Sequence, residues 1–155
     1  MIDLYEEFDA LIAALDERRI EYALCGGIAM AVYGVPRATV DIDLLIAEDS
    51  LEAVCAAAEE LGYTLKATPM RFAGGKIEIR RVSKLDAESG EVLTLDLLLV
   101  TTAIKDVWEG RREIEWERGK LRVVSREGLI ELKSLRNSGQ DKDDIMRLRE
   151  LSDES

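Results

Sequence analysis

The chain switches several times between a helical period and a two-residue alternation of apolar and polar positions. Leu4, Phe8, Leu11, Ile12 and Leu15 recur at helical spacing, which predicts a helix over residues 4–18. The apolar run 21–25 predicts a short strand ended by Gly26-Gly27, because glycine permits the backbone angles of a tight turn. A helix over 28–33 stops at Gly34-Val35-Pro36, and residues 39–47 alternate as a strand. Ser50 is the predicted cap of a helix burying Leu51, Val54, Cys55, Ala58 and Leu61. Strands follow at 63–67, 76–82 and 91–100, the last two joined by a polar turn containing Ser89-Gly90. A short helix at 102–108 precedes a hairpin pairing 113–117 with 120–124 around Arg118-Gly119. Two helices close the chain: 126–137, capped by Ser125, and 141–151. The pattern predicts one mixed α/β (α+β) domain over residues 1–155, with a partly antiparallel sheet core over about 21–125 and a helical C-terminus over about 126–151.

Composition narrows the chemistry. With 155 residues, 47% of them apolar, the chain can bury a core. The longest apolar run, 92–100, is broken by Thr94 and Asp96 and is too short to cross a bilayer, so no membrane association is expected. The acidic N-terminal segment lacks the basic start of a secretory signal. Cys25 and Cys55 sit in apolar stretches without CxxC spacing, which predicts buried, reduced thiols and a cytoplasmic location. There is no histidine, which removes Ser-His and Cys-His nucleophile pairs and the common zinc sites. Chemistry must run on carboxylates, lysine, hydroxyls and oxygen-ligated cations such as magnesium or manganese. A net charge of −11 opposes a broad nucleic-acid footprint and leaves room only for small basic patches, for which Arg71 to Arg81 (with Lys76 and Arg80) and Arg111-Arg112 are the candidates.

Candidate chemistry begins at Asp41 and Asp43. Strand alternation points both the same way, with Ile42 and Leu44 opposite. Such a pair is either two solvated aspartates at a strand end or a cation site, and the glycine turn upstream and Asp96 downstream favour the cation. Asp96 lies inside the apolar run 92–100, where an ionised carboxylate needs a partner. A strand neighbouring that of Asp41 and Asp43 would put three carboxylates around magnesium; the alternative is a bond to a backbone amide or an arginine. Gly26 and Gly27, ahead of a helix, are candidate phosphate contacts. Lys133 and Arg136 share a stripe with Leu129 and Leu132, and either reach a phosphate or snorkel to the edge. Arg37 and Thr39 are phosphate contacts or loop surface. P-loop, GxGxxG and EF-hand patterns are absent.

Gly26-Gly27, a helix, Asp41-Ile42-Asp43 on a strand and a later Asp96 together resemble the DNA polymerase β-like nucleotidyltransferase superfamily. Arg37-Ala-Thr39-Val-Asp41-Ile-Asp43, with Gly128-Leu-Ile-Glu-Leu-Lys133 and Gln140-Asp141-Lys-Asp-Asp144-Ile, is similar to its abortive-infection toxin-like (AbiEii-type) branch. The resemblance implies a nucleotidyltransferase fold and transfer of a nucleoside monophosphate from an NTP to a hydroxyl, as part of a toxin–antitoxin pair. In that branch a helix lysine and an Asp-x-x-Asp segment complete the site, which here means Lys133, Asp141 and Asp144. It further implies Mg2+ or Mn2+ on Asp41, Asp43 and Asp96, with Asp96 the base candidate. Phosphate contacts fall to Gly26, Gly27, Arg37, Thr39 and Lys133. The acceptor class stays open among an RNA end, a protein hydroxyl and a small molecule, and an antitoxin is the expected protein partner. Many members carry Gly-Ser where this chain has Gly26-Gly27, and an arginine or lysine where it has Gln140. The alternative is therefore a domain of the same fold that binds a nucleotide or partner with little catalysis.

Overall fold

The computed structural model describes residues 2–35, 41–116 and 119–153. Its helices are α1 (Leu4–Glu17), α2 (Gly26–Val32), α3 (Leu51–Glu60), α4 (Lys105–Glu109), α5 (Arg126–Arg136) and α6 (Gly139–Asp153). The strands are β1 (Ala23–Cys25), β2 (Asp41–Ile46), β3 (Leu65–Lys66), β4 (Met70–Phe72), β5 (Ile77–Leu85), β6 (Val92–Leu99), β7 (Arg112–Trp116) and β8 (Gly119–Val123). All eight join one sheet in the order β3-β5-β6-β2-β1-β8-β7, with β4 on β5. The sheet is mixed: β2 runs parallel to β6 and β1 to β8, while β1–β2, β5–β6 and β7–β8 are antiparallel.

The apolar stripe at 4–15 folds as the sequence pattern predicts, burying Phe8, Leu11, Ile12 and Leu15. Asp3 caps α1, its Oδ1 accepting from the amides of Tyr5 and Glu6. The two helical layers lie on opposite faces of the sheet. Lys84, which alternates away from Arg81 and Ser83, meets Glu7 of α1, so α1 covers that face with α3 packed beside it. On the other face, Leu129 and Leu132 of α5 lie over Cys25 and Leu98. The interior of β6 is buried on both faces from Leu95 to Leu99, which is why its sequence reads as a nearly continuous apolar run.

Several local expectations change. The Gly26-Gly27 pair forms the first turn of α2 instead of preceding it. Ser50 makes no capping bond, because the 3-10 turn Glu48–Ser50 leads into α3 and leaves Ser50 near helical angles (φ −88°, ψ −7°). A cap residue must sit outside the helical region for its oxygen to reach forward. Ser125 is so placed (φ −63°, ψ 162°), and its Oγ accepts from the Gly128 amide at 2.9 Å. The three-residue β4, too short for a two-residue period to register, was not predicted. Cys25 is buried and Cys55 half-buried, and neither is in a disulfide. No helix among the described residues is long and apolar enough to cross a membrane.

The contrast between the two serines is measurable. Ser125→Ala should cost about 1 kcal/mol by denaturant unfolding, whereas Ser50→Ala should stay within about 0.5 kcal/mol of the parent. Equal losses would show that the caps are misassigned.

Candidate active site

The antiparallel and parallel registers line up one residue from each of four adjacent strands. Cys25 of β1 opposes Asp43 of β2, Asp43 neighbours Asp96 of β6, and Asp96 opposes Arg81 of β5. Paired residues in neighbouring strands share a face, so these side chains form one row, with strands about 4.8 Å apart. The next row holds Asp41, Thr94 and Ser83. Asp41, Asp43 and Asp96 are thus gathered at one end of one sheet face.

Gly26 makes room for Asp43. Its φ is +70°, and a Cβ there would lie 2.1 Å from Asp43 Oδ2, so any side chain would displace the carboxylate. Gly27 is buried in the first turn of α2. Burial, then the like charges of Asp96 and Asp41, push the Asp43 carboxyl up to about 7. Burial and Asp96 raise Asp41 also. The donors of these three side chains are all oxygen, the type that suits a hard divalent cation.

The partner of Asp96 is Arg81. Nε donates to Oδ1 at 2.7 Å and Nη2 to Oδ2 at 3.0 Å, a two-pronged pair of the stronger kind. Both oxygens of Asp96 are engaged, and among the described residues no three acidic or thiol side chains already stand as a cation-binding group. The arginine alternative for Asp96 is the arrangement observed. Arg81 had stood only among the candidate basic patches, and strand geometry dissolves that patch. Arg80 alternates to the opposite face from Arg81, while Arg71 pairs with Glu78 at 2.7 Å. Arg111 stacks on Trp108 and binds Glu21.

From above the row, α5 closes the site. A small cavity of about 20 Å³ is bounded by Cys25, Gly26, Asp43, Leu98, Leu132, Lys133 and Arg136. Lys133 is 5% exposed, and its Nζ donates to Asp144 Oδ2 at 2.9 Å and lies 3.9 Å from Asp141. Gln140 Nε2 donates to the other Asp144 oxygen at 3.3 Å. Asp141 also binds Ser138: its Oδ2 accepts from the Ser138 hydroxyl, and its amide donates back to Ser138 Oγ. That reciprocal arrangement fixes the start of α6. Lys133, Asp141 and Asp144 therefore join α5 to α6 behind the carboxylates; of these three Lys133 faces the cavity beside Asp43, together with Arg136 of α5. Arg37 and Thr39 lie outside the described residues. A larger cavity, about 540 Å³, is lined by Tyr5, Ile28, Val32, Ile114 and Trp116 and by none of the three aspartates.

The family model for "Nucleotidyl transferase AbiEii toxin, Type IV TA system" matches residues 9–115, a span that contains Gly26, Asp41, Asp43, Arg81 and Asp96. The chain belongs to the AbiEii nucleotidyltransferase family. It is accordingly an enzyme, a nucleotidyltransferase, with a mixed α/β fold. No curated protein sequence matches it. Among solved structures, the lincosamide antibiotic adenylyltransferase LnuA, bound to lincomycin, is similar at 18% identity and TM-score 0.62, covering 94% of this chain and 96% of that one. TM1012 from Thermotoga maritima aligns at 15% identity, TM-score 0.60, over 97% and 93% of the two chains. ANT(2")-Ia, in complex with adenylyl-2"-tobramycin, aligns at 20% identity, TM-score 0.59, over 91% and 84%. At these identities the likeness is one of fold, and that fold is shared by AbiEii-family chains and antibiotic adenylyltransferases.

Two outcomes follow from the geometry. Lys133→Met removes the ammonium that the buried Asp144 binds at 2.9 Å and should cost about 3–5 kcal/mol in unfolding free energy, and adding Asp144→Leu should restore part of it. Strict additivity in that double-mutant cycle would show that the pair is not coupled. For Asp43 the folded pKa lies above the unfolded one, so its contribution is fully present below about pH 4 and is lost as pH rises through about 7. In chelator-treated protein, Asp43→Asn should therefore melt higher than the parent at pH 8, by an amount on the order of a few kcal/mol, with the gap closing toward pH 4. A pH-independent difference would contradict the strained carboxylate.

Proposed function

We propose that this AbiEii-family enzyme is a metal-dependent nucleotidyltransferase that moves a nucleoside monophosphate from an NTP to an acceptor hydroxyl. The observation that carries this reading is the register that sets Asp43 beside Asp96 with Asp41 one step along the same face. Asp41 and Asp43 would hold Mg2+ or Mn2+, and Asp96 would share it. An ion held there would offset charge on the triphosphate and on the attacking oxygen. Gly26 and Gly27 are proposed phosphate contacts on the sequence resemblance, and Lys133 and Arg136 bring positive charge to the cavity that Gly26 and Asp43 border. Arg37 and Thr39 are proposed phosphate contacts on the sequence resemblance alone.

In the reaction, the acceptor hydroxyl gives its proton to the Asp96 carboxylate, at Oδ2, the oxygen farther from its arginine partner. The acceptor oxygen forms a bond to the α-phosphorus as the bond to the bridging oxygen breaks, and pyrophosphate leaves with that electron pair. The rest of the site contributes position and fixed charge, with Asp43 and Asp96 set by the strand register and Lys133 held by Asp144.

The net charge of −11 supports a compact acceptor, a small molecule or a single RNA end or protein hydroxyl, over an extended nucleic-acid surface. LnuA and ANT(2")-Ia are named for small antibiotic acceptors, which supports the small-molecule branch. The family description supports the other branch, a toxin with an antitoxin partner. A second reading, nucleotide binding with little turnover, is favoured by the missing hydroxyl at Gly27 and by the engagement of Asp96 with Arg81.

The test is transfer of label from each α-labelled NTP into a cell extract, with pyrophosphate release followed in parallel. Asp43→Asn and Asp96→Asn should each lower turnover by at least about a hundredfold while the fold is retained by circular dichroism. Parent-like transfer by either variant would remove these carboxylates from the mechanism. Magnesium-dependent nucleotide binding without pyrophosphate release would establish the second reading.

A further inference from the structure

The two-pronged contact between Arg81 and Asp96 has a further role. We propose that Arg81 is a positioning residue that competes with the divalent cation for Asp96, so that loading the second carboxylate of the pair requires the guanidinium to yield an oxygen. The proposal rests on the metal-dependent reading above.

Three observations carry it. First, Arg81 and Asp96 are a directly opposed pair on adjacent strands, so their contact is set by sheet register and not by a chance surface encounter. Second, the fork uses both Asp96 oxygens, at 2.7 and 3.0 Å, and so occupies the side chain that the cation needs. Third, the two partners differ in freedom. The Asp96 side chain is 8% exposed and fixed within β6, whereas that of Arg81 is 40% exposed. The guanidinium can leave toward water at small desolvation cost, while the carboxylate stays.

Arg81 is thus the countercharge to a crowded acidic row when no cation is bound, and it is displaced in part when one arrives. Two cations sharing one ligand oppose each other, and that opposition is reciprocal: whatever arginine subtracts from metal affinity, metal subtracts from the arginine contact. The arrangement offsets part of the repulsion among the three carboxylates in the unliganded protein. It also makes full assembly of the site conditional on the cation and the triphosphate that accompanies it.

The experiment is Mn2+ titration by calorimetry, with thermal melts, on the whole chain as wild type, Arg81→Gln, Arg81→Lys and Asp43→Asn. Arg81→Gln should bind Mn2+ about tenfold more tightly than wild type, melt lower in chelator, and gain more stability on Mn2+ addition than wild type does. Arg81→Lys, which keeps the charge but not the fork, should fall between the two. Unchanged or weaker Mn2+ affinity in a folded Arg81→Gln, with wild type still binding, overturns the competition and leaves Arg81 a purely structural partner. If Arg81→Gln does not fold, Arg81→Lys with an affinity equal to wild type overturns it in the same way. Absence of Mn2+ binding by wild type, or equal binding by Asp43→Asn, instead overturns the metal reading on which the proposal rests.

Discussion

The structure depends on the parallel register that sets Asp43 of β2 beside Asp96 of β6. A slip of one residue would turn Asp43 against the faces of Leu95 or Leu97 and scatter the acidic row. Everything else near the site accommodates that juxtaposition. Gly26 has no Cβ because the Asp43 carboxylate occupies the space. Arg81 faces Asp96 from the next strand, and Lys133 approaches Asp43 from α5 while held by Asp144 of α6. Burial, and after it crowding by Asp96 and Asp41, raises the Asp43 carboxyl to about 7. A fold selected for stability alone would not concentrate like charges at a buried strand end.

Much of this was legible in the sequence because it depends on local periodicity. The two-residue alternation put Asp41 and Asp43 on one face, and the apolar run around Asp96 showed that this carboxylate needed a partner. The Ser125 cap and the helical stripe of α1 were local as well. What the sequence hid was pairing between distant segments. Arg81 read as a surface cation because nothing near it in the chain reveals that Asp96, fifteen residues on, lies opposite. Alternation does separate Arg80 from Arg81, but choosing which of them meets an acid requires the register of β5 on β6. Lys133 was visible as a lysine on an apolar stripe, yet its bond to Asp144 needed the turn between α5 and α6. Ser50 failed as a cap because a 3-10 turn intervened, which no residue preference announces.

The family assignment and the geometry bear on different parts of the function. The match over residues 9–115 identifies a nucleotidyltransferase, and the fold is the one used by antibiotic adenylyltransferases. Neither selects the acceptor. The features of this chain that bear on how the site is loaded are a glycine at position 27 and an arginine bonded to both oxygens of the third carboxylate. On the reading proposed above, the arginine contact makes arrival of the cation the event that completes the site.

The central claim is that the Asp41–Asp43–Asp96 face holds a cation together with the triphosphate. It is tested most directly by anomalous diffraction from crystals soaked with Mn2+ and a non-hydrolysable NTP analogue. The account predicts a manganese peak in contact with the Asp41 and Asp43 carboxylates and with the phosphates, and Arg81 drawn back from at least one oxygen of Asp96. Nucleotide bound with its manganese away from Asp41 and Asp43 would contradict it.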